Sequence, residues 1–430
     1  MPTEHVRSYG FASRELAERL GIIPPRGRHA ILVHPQSRGI YRSAIERWGI
    51  ERVPVLVTPT ASPRSLLAWD ERSARPPIVT KVSLGAVIGR RLRVIKEEDL
   101  CRGLLVQAIF DLLPRDVVAA LHLEWFSELA GTVYVDPRSD RRSVHHYAHI
   151  VRTLPASLHR RNGSSLIPLF SLVSSDGERE PHMVRLVRRE RARPTEWFIE
   201  RVLKPYLRVF THLVLEEGLN IEPHAQNVLF GIDAKGDLDG RIVLRDMCDT
   251  TVNVALRIAK GRPLPTFPAG FWPEGPVTCV DKALDRNVHV DKGPIRRTGN
   301  CIRRYGLFGM LWVVEQSVAR WLPDLDGARL RRVYMETWQR AAISSLRARP
   351  LFSRSCTRIA MDEAIAWRLA NLPWAAHPAG RRSSLPRRAQ ALMMGGRSMR
   401  RSGAAYETID TSWGRLYFDG PKPAFFAPAF

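Results

Sequence analysis

The spacing of hydrophobic and polar positions predicts short strands and helices in the first third of this chain and mainly helices after Val252. Residues 78–84 alternate between a more apolar set and a set that contains Lys81, which predicts a half-buried strand with Lys81 on its more polar face. Between Glu196 and Glu217, apolar residues recur at helical spacing and predict a long amphipathic helix. The other predicted strands are Ala30–Val33, Arg52–Val57 and Thr132–Val135, and the other predicted helices are Ser13–Leu20, Glu97–Leu113, Arg115–Leu129, Cys301–Leu322, Gly327–Leu346 and Met361–Leu372.

Two β-prone runs around a turn rich in glycine and aspartate predict a hairpin within residues 228–244. With the turn centred between Gly236 and Asp237, Asn227 falls opposite Asp246. Directly paired residues lie about 4.5–5.5 Å apart, so this amide oxygen and this carboxylate can bind one hard cation such as Mg²⁺. The alternative is that both are ordinary turn and cap residues.

The predicted end of this hairpin is unusually rich in polar side chains. Few structural roles need so many polar groups at one place, which favours a functional site. These residues are Glu222, His224, Gln226, Asn227, Arg245 and Asp246.

Composition indicates a soluble globular protein of two or three subdomains, with 430 residues, 44% hydrophobic and 25% charged. No apolar run is long enough to span a bilayer, and residues 1–10 contain no signal-peptide core, so we expect a cytoplasmic location. The five cysteines form no CxxC pair, which indicates neither a disulfide framework nor a zinc site. Cys248 lies near the predicted site and is interpreted as a small buried residue rather than a nucleophile.

The net charge of +23 predicts anionic partners, which could be nucleic acid, nucleotide or polycarboxylate. Nearly all of the cationic residues are arginines, a bias that often reflects codon composition, so the charge by itself is weak evidence of function. The densest basic run, Arg381 to Arg401, is interpreted as a loosely packed segment. It lacks the interleaved aromatic residues of a single-strand platform, which makes nucleic-acid binding unlikely as the main function.

Three basic elements precede the hairpin in the sequence. Arg64 lies in a turn with Ser62 and Ser65, Lys81 lies on a predicted strand, and Arg93 follows a glycine turn. Arginine and lysine side chains of this kind neutralise phosphate oxygens. Taken singly, each could equally be a solvated surface cation.

In order and spacing, these motifs resemble those of the NRPS-independent siderophore synthetases, the aerobactin-synthetase-like family. The segment Glu222–Asn227 resembles the family's Glu-x-His-x-Gln-Asn signature, and Arg245 with Asp246 resembles the Arg-Asp that follows it. Ser62-Pro63-Arg64-Ser65 looks like its Ser-x-Arg-Thr element. Val33-His34-Pro35-Gln36 looks like a shortened His-Pro-Trp-Gln element. The resemblance covers residues 10 to 375 and corresponds to roughly the carboxyl-terminal two-thirds of the family.

The resemblance implies an α+β fold with a cupped-hand architecture, in which an antiparallel fingers sheet accompanies a mostly helical palm and most of the amino-terminal thumb is lacking. The expected regions are a fingers-like region at 1–150, a palm-like region at 151–375 and a basic, loosely packed segment at 376–430.

The resemblance also implies an ATP-dependent ligase that adenylates a citrate-like polycarboxylate in siderophore biosynthesis, for iron acquisition. An amine or hydroxyl of a second substrate then displaces AMP. The implied cofactors are ATP and Mg²⁺, the partners are these small molecules, and a homo-oligomer is expected. His224 and Arg93 would be catalytic. The nucleotide would be bound by Ser62, Arg64, Ser65, Lys81, Arg93, His224 and Gln226, and the metal by Glu222, Asn227 and Asp246.

Besides the missing Trp after His34-Pro35 and Ser65 in place of a threonine, two departures from the family pattern bear on activity. The family's amino-terminal portion is missing, and Gly89 stands where the family has a threonine that helps to bind phosphate or substrate. The principal alternative is therefore a non-catalytic ATP-binding homologue or a partner subunit of such a synthetase. A phosphotransferase ranks below the ligase because there is no glycine-rich loop upstream and no His-Arg-Asp run.

Overall fold

The structure is a computed structural model in which two compact units form, each from several segments of the chain. The first unit comprises Met1–Ser165, Val243–Thr250 and Leu264–His289, and the second comprises Leu166–Ile242, Thr251–Pro263 and Val290–Phe430. The structure describes residues 6–10, 16, 18, 20–22, 26–37, 46, 55–60, 62–70, 76–88, 91–134, 148–159, 165–252, 257, 260–267, 271, 277–278, 301–347, 407–411, 414–419 and 422–428.

A six-stranded antiparallel sheet in the order β1-β8-β9-β4-β3-β2 forms the framework of the first unit. Its strands are β1 (Val6–Gly10), β2 (Leu56–Pro59), β3 (Ser65–Trp69), β4 (Ile78–Val82), β8 (Glu128–Tyr134) and β9 (Ala148–Arg152). Every residue of β4 and β9 is buried. The expectation of a half-buried strand around Lys81 is therefore wrong, because β4 is central in the sheet and both of its faces are covered.

The two faces of this sheet pack against different parts of the unit. Leu16, Leu20, Ala68, Ile78, Ala130 and Val151 form a hydrophobic cluster. Side chains alternate along a strand, so Lys81 projects on the opposite face from Ile78. On that second face, Leu100 of helix α1 (Glu97–Phe110) packs so closely that a Cβ on Gly131 would lie 2.2 Å from its Cδ1.

Helix α1 confirms the helix predicted from Glu97, although it ends at Phe110. The helix predicted over Arg115–Leu129 is wrong beyond its first seven residues. Helix α2 (Arg115–Leu121) stops at His122, which has a left-handed backbone with φ 49°. The chain then forms β7 (Leu123–Trp125) and β8, because pairing with β1 and β9 outweighs the local helical preference.

Shorter strands complete the described part of this unit. The strand predicted at Ala30–Val33 is wrong, because these residues join no sheet and lead into a short turn of 3₁₀ helix at Pro35–Ser37. The strand predicted at Arg52–Val57 appears as β2, and residues 51–54 lie outside the described residues, as does Gly89. The remaining strands are β5 (Leu84–Ile88) paired with β6 (Arg91–Arg93), and β15 (Thr266–Phe267) paired with β16 (Val277–Thr278).

Most of the helices among the described residues lie in the second unit. The predicted helix from Glu196 forms as a helix at Pro194–Phe198, a π-helical turn at Ile199–Leu203 and a helix at Lys204–Leu215. Gly218 follows it with a left-handed φ of 65°. The helix predicted from Cys301 is π-helical over Cys301–Trp312 and continues as α7. The α-helices are α3 (Leu169–Val173), α4 (His182–Arg189), α5 (Pro194–Phe198), α6 (Lys204–Leu215), α7 (Val313–Val318) and α8 (Gly327–Arg347). None of the helices among the described residues is both long and apolar enough to span a bilayer.

The predicted hairpin is confirmed. Strands β10 (Ser165–Pro168), β12 (Val228–Ile232) and β13 (Leu238–Leu244) are neighbours in that order, and β11 (Leu219–Asn220) pairs with β14 (Thr251–Val252).

The turn of this hairpin lies earlier than predicted. The Asp233 N–H donates to the Asp237 carbonyl over 2.9 Å, which centres the turn on Lys235 rather than between Gly236 and Asp237. Gly236 has a φ of 83°, a left-handed conformation that favours glycine. The register that pairs Asn227 with Asp246 therefore does not follow from this turn.

The carboxyl-terminal strands were not predicted from the sequence. Here β17 (Glu407–Thr411), β18 (Gly414–Asp419) and β19 (Lys422–Pro428) form an antiparallel sheet within the segment expected to be loosely packed. The basic run Arg381 to Arg401 and the predicted helix Met361–Leu372 lie outside the described residues. The three predicted regions, with boundaries at 150 and 375, stay a prediction.

Candidate active site

A buried cluster of charges in the first unit surrounds Asp246. Its Oδ1 accepts hydrogen bonds from Lys81 Nζ, from Arg152 Nη2 at 3.0 Å and from Cys248 Sγ at 3.0 Å. Lys81 Nζ also lies 3.1 Å from Cys248 Sγ. These residues, together with Glu128, are called the Asp246 cluster below.

The sheet positions the two cations of this cluster. Lys81 is on β4 and Arg152 is on β9, and the register places Arg152 beside Val79 and Lys81 beside Ile150. Both side chains therefore project on the same face of two central strands, where they are almost fully buried.

Asp246 enters the cluster through an unusual backbone conformation. It follows the end of β13 and has a φ of 70°, a left-handed conformation that aspartate tolerates better than most residues. A short turn of 3₁₀ helix at Met247–Asp249 comes next and brings Cys248 back toward Asp246.

Glu128 connects the cluster to the rest of the unit. Its Oε1 accepts from Arg152 Nη2 at 2.6 Å, from Arg152 Nε at 3.0 Å and from the Met247 N–H at 3.3 Å. The Glu128 N–H donates to Gln107 Oε1 over 3.0 Å, which anchors β8 to helix α1.

The charges in the cluster stabilise one another. Burial tends to lower the pKa of Lys81, but the neighbouring Asp246 carboxylate outweighs it and the pKa is raised. Burial also tends to lower the pKa of Arg152, but the Glu128 and Asp246 carboxylates outweigh it and the pKa is raised. Burial opposes ionisation of Asp246, yet Lys81 and Arg152 hold its pKa well below the usual range. Burial raises the pKa of the Cys248 thiol well above its usual value, which agrees with its interpretation as a small buried residue.

Arg245 is the exception among the cations near Asp246. Its side chain is half-buried, makes no hydrogen bond or ion pair with a described residue, and has its Nη2 atom buried. Burial lowers the pKa of Arg245 to about 10, and Arg152 opposes the favourable effect of Asp246. The guanidinium stays charged at neutral pH and makes no ion pair with a described carboxylate, although Asp246 lies close enough to favour its charge.

The turn that contains Arg64 lies beside Lys81, and the phosphate-binding roles predicted for Ser62, Arg64, Ser65 and Lys81 stay predictions. Ser65 pairs with Lys81 across β3 and β4, and the Val82 N–H donates to the Arg64 carbonyl over 2.9 Å. Arg64 Nη1 donates to the Val94 carbonyl over 3.4 Å. The turn itself is closed by the Ser65 N–H, which donates to the Ser62 carbonyl over 3.2 Å.

Arg93 is not part of the cluster. It ends β6, pairs with Leu84 and makes no side-chain hydrogen bond or ion pair with a described residue. Its predicted catalytic and phosphate-binding roles stay predictions.

The segment Glu222–Asn227 forms a compact loop in the second unit. The His224 N–H donates to the Glu222 carbonyl, and the Asn227 N–H donates to the His224 carbonyl, each over 2.9 Å. The Gln226 N–H donates to His224 Nδ1 over 3.2 Å, so the neutral ring carries its proton on Nε2, which lies 4.0 Å from Glu222 Oε2. The His224 ring faces Tyr305 at 6.2 Å between centroids.

Helices of the second unit hold this loop in place. Tyr206 Oη donates to the Pro223 carbonyl over 2.9 Å, and the Ala225 N–H donates to the Gly309 carbonyl over 3.1 Å. His224 is half-buried, Gln226 is exposed and Asn227 is buried. The loop therefore offers the imidazole and the Gln226 amide to a ligand, whereas Asn227 is enclosed.

The chemistry of the donors around Asp246 fits a divalent cation in part. Among the described residues, Asp246, Cys248 and Asp249 form a group whose ligand atoms lie within 4.8 Å of one another. All contacts of Asp246 use Oδ1, which leaves Oδ2 without a described partner. Mg²⁺ prefers oxygen, so the two carboxylates fit it and the thiol does not. Glu222 and Asn227 belong to the second unit, and their share in a site with Asp246 stays a prediction.

Sequence reasoning missed Glu128, Arg152 and Asp249. Glu128 was assigned to a helix, and no strand was predicted around Arg152. The spacing of Asp249 from the Arg-Asp motif was the available signal, since three residues along a short turn return to the same side.

Comparisons with known proteins agree with the motifs. The profile of the IucA / IucC family matches residues 9–174, a range that includes Lys81, Glu128 and Arg152. The resemblance to that family is confirmed. No match was found among curated proteins.

Three solved structures are similar to this chain in fold. ATP-bound aerobactin synthetase IucA from a hypervirulent pathotype of Klebsiella pneumoniae matches with a TM-score of 0.55 and 16% identity, over 80% of this chain and 63% of that one. Petrobactin biosynthesis protein AsbB from Bacillus anthracis str. Sterne matches with a TM-score of 0.56 and 14% identity, over 84% of this chain and 61% of that one. Aerobactin synthetase IucC from a hypervirulent pathotype of Klebsiella pneumoniae matches with a TM-score of 0.53 and 14% identity, over 85% of this chain and 64% of that one. The chain thus has the mixed α and β fold of these proteins and spans less than two-thirds of their length.

Proposed function

We propose that this chain is an ATP-dependent carboxylate–amine or carboxylate–hydroxyl ligase, or part of one, that adenylates a citrate-like polycarboxylate in siderophore biosynthesis. The proposal extends to this chain the activity named for the aerobactin synthetases and the ATP bound to IucA. It includes the cupped-hand arrangement, a cytoplasmic location and a homo-oligomer.

The observation that carries the proposal is a guanidinium without an ion pair, next to a carboxylate oxygen without a partner, among the described residues. Lys81 and Arg152 converge on Oδ1 of Asp246, and Arg245 carries a charge with no described partner. Adenylation brings a carboxylate and a triphosphate together, and two anions can meet only where fixed positive charge screens them. A purely structural ion cluster would need no unpaired guanidinium.

In the proposed reaction, a carboxylate oxygen of the substrate attacks the α-phosphorus of ATP. The bond between the α-phosphorus and its bridging oxygen breaks, and pyrophosphate leaves with that electron pair. An amine or hydroxyl then attacks the acyl carbon, loses its proton and displaces AMP. Each step releases an anion, so cations that remain in place stabilise both.

We assign the residues as follows. Arg64, Lys81 and the Ser62–Ser65 turn bind phosphate oxygens, with Arg93 and Gln226 reaching the nucleotide in the complex. His224 contacts the α-phosphate and the reacting carboxylate, where an N–H on Nε2 favours the developing charge. Mg²⁺, when bound, would neutralise phosphate charge. Asp246 would hold it, with Asp249, Glu222 and Asn227 as the further candidate ligands.

The test is ATP–pyrophosphate exchange with Mg²⁺ and a panel of polycarboxylates that includes citrate. We expect exchange that depends on one class of polycarboxylate and falls to background in Asp246→Ala. Absence of exchange over the whole panel, with ATP binding unchanged in Asp246→Ala, would argue against the ligase. ATP binding that Asp246→Ala weakens, without exchange, would indicate the non-catalytic homologue instead.

A further inference from the structure

The backbone and the side chain of Asp246 are both held by a single buried carboxylate. Glu128 Oε1 accepts from the Met247 N–H at 3.3 Å, directly after Asp246 in the chain. The same oxygen accepts from Arg152 Nη2, and that nitrogen also donates to Asp246 Oδ1 over 3.0 Å. Glu128 thus constrains Asp246 from two sides without touching its carboxylate.

This double contact matters because the left-handed backbone of Asp246 costs free energy even at aspartate, which tolerates it better than most residues. A left-handed backbone at a residue other than glycine persists only where its surroundings enforce it. The Glu128 side chain is fully buried, and an ionised carboxylate is retained in such a place only when it is paired. The contacts to Arg152 and to the Met247 N–H meet both requirements.

We propose that Glu128 is a positioning residue, which orients Asp246 so that Oδ1 is taken by protein donors and Oδ2 is left to bind a divalent cation. The inference rests on the proposed function for the identity of that cation. Glu128 itself would contact neither metal nor substrate.

A glycine in helix α1 provides the space that this arrangement needs. A Cβ on Gly103 would lie 1.9 Å from Glu128 Oε2 and 3.6 Å from Cys248 Cβ. Alanine at Gly103 must therefore displace Glu128 although it removes no charge and no hydrogen-bonding group. In most helix interiors the same change is stabilising.

The experiment compares Glu128→Gln and Gly103→Ala with the wild type. The matched control is Glu200→Gln, because Glu200 forms an exposed ion pair with Lys204 one helical turn away. Pyrophosphate exchange is measured against Mg²⁺ concentration at saturating ATP and carboxylate. Both variants are expected to need about 10–100-fold more Mg²⁺, the usual effect of losing a residue that orients a metal ligand, whereas the control is unchanged.

A second measurement does not depend on catalysis. Cys248 is buried against Asp246 and Lys81, so its alkylation rate, read by peptide mapping, reports how firmly the cluster is held. We expect alkylation at least about tenfold faster in Glu128→Gln and Gly103→Ala than in wild type, since reaction requires local opening. If the wild type shows no exchange, the proposed function fails, and Cys248 reactivity still decides the positioning inference.

If Glu128→Gln fails to fold, the cause is the loss of one of the two carboxylates that pair with the buried Arg152. The double variant Glu128→Leu, Arg152→Met replaces the buried pair by apolar side chains and is expected to fold, because such a replacement is often neutral. It should still show the raised Mg²⁺ requirement and the faster alkylation. A folded single or double variant with wild-type Mg²⁺ dependence and wild-type Cys248 protection would overturn the inference.

Discussion

Each unit contains a buried cluster of charges, and the two clusters use their charges differently. In the second unit, Glu217 is paired with Arg262 at 3.1 Å and with Arg257 at 3.4 Å. Arg257 also donates to the Glu217 carbonyl and to the Pro263 carbonyl, each over 2.7 Å. These cations neutralise the Glu217 carboxylate, and Arg257 also joins the backbone just beyond helix α6 to the backbone at Pro263.

The Asp246 cluster differs in what it leaves unsatisfied. Arg245, which precedes Asp246 in the chain, makes no hydrogen bond or ion pair with a described residue. Glu217, Arg257 and Arg262 are all in ion pairs, although Glu217 Oε1 and Arg257 Nε make no hydrogen bond with a described residue. A cluster that only stabilises a fold satisfies its charges within the protein. The comparison indicates that unsatisfied charge, rather than burial, distinguishes a candidate ligand site from a structural ion network.

The largest expected effect is on stability, in the Glu217 cluster. Arg257→Met removes a fully buried cation and leaves Glu217 underpaired, which should lower the free energy of unfolding by about 3–5 kcal/mol. Chemical denaturation measures it. Exchange activity per folded molecule should be unchanged, and a loss of activity without a loss of stability would contradict the structural role.

The next effect is on activity, in the Asp246 cluster. Lys81→Met should lower pyrophosphate exchange about 10²–10³-fold, because a preorganised cation beside the reacting anions is lost. Steady-state exchange kinetics measure it. Lys204→Met is the matched control, since Lys204 forms only an exposed pair with Glu200. Equal activity in both variants would remove the distinction between the clusters.

His149 is a buried titratable side chain that belongs to neither cluster. Both ring nitrogens are buried without a hydrogen bond to a described residue, and burial lowers the pKa of His149 to about 4. The unfolded chain binds this proton near pH 6.5, so stability is lost as the pH falls from there through 4, by about 3 kcal/mol in total. Denaturation from pH 7 to pH 4 should show this loss in the wild type and less of it in His149→Leu. Parallel pH profiles would contradict the prediction.

The smallest expected effect concerns the unpaired guanidinium. Arg245→Gln should raise the KM for either ATP or the carboxylate about tenfold or more, the usual value of a hydrogen bond to a charged group, while stability stays the same or rises. Separate titrations of the two substrates identify which anion it binds. Arg329→Gln, at an exposed ion pair with Glu196, is the control. Unchanged KM values for both substrates would show that Arg245 binds neither.

Local patterns were the most reliable part of the sequence analysis. The hairpin β12–β13, helix α1 from Glu97 and helix α8 from Gly327 were predicted because hydrophobic period and turn residues act within a few positions. The helix expected through Glu128 failed because strand pairing with distant residues outweighed local preference. The turn centre was misplaced because several residues between Asp233 and Gly240 are suited to turns.

The order of motifs along the chain was enough to identify the available chemical groups, which are Arg64 in its turn, Lys81, the Glu222–Asn227 loop and Arg245 with Asp246. Motif order carries that information, and it led to the family whose profile matches residues 9–174. The burial of Lys81, and the contacts by which Arg152 and Glu128 hold Asp246, became visible only in the folded chain. Arg152 lies 94 residues from Asp246, and Glu128 lies 24 residues from Arg152. Such neighbours are set by the order and register of strands in a sheet, which depend on the packing of the whole unit and leave no periodic trace in the sequence.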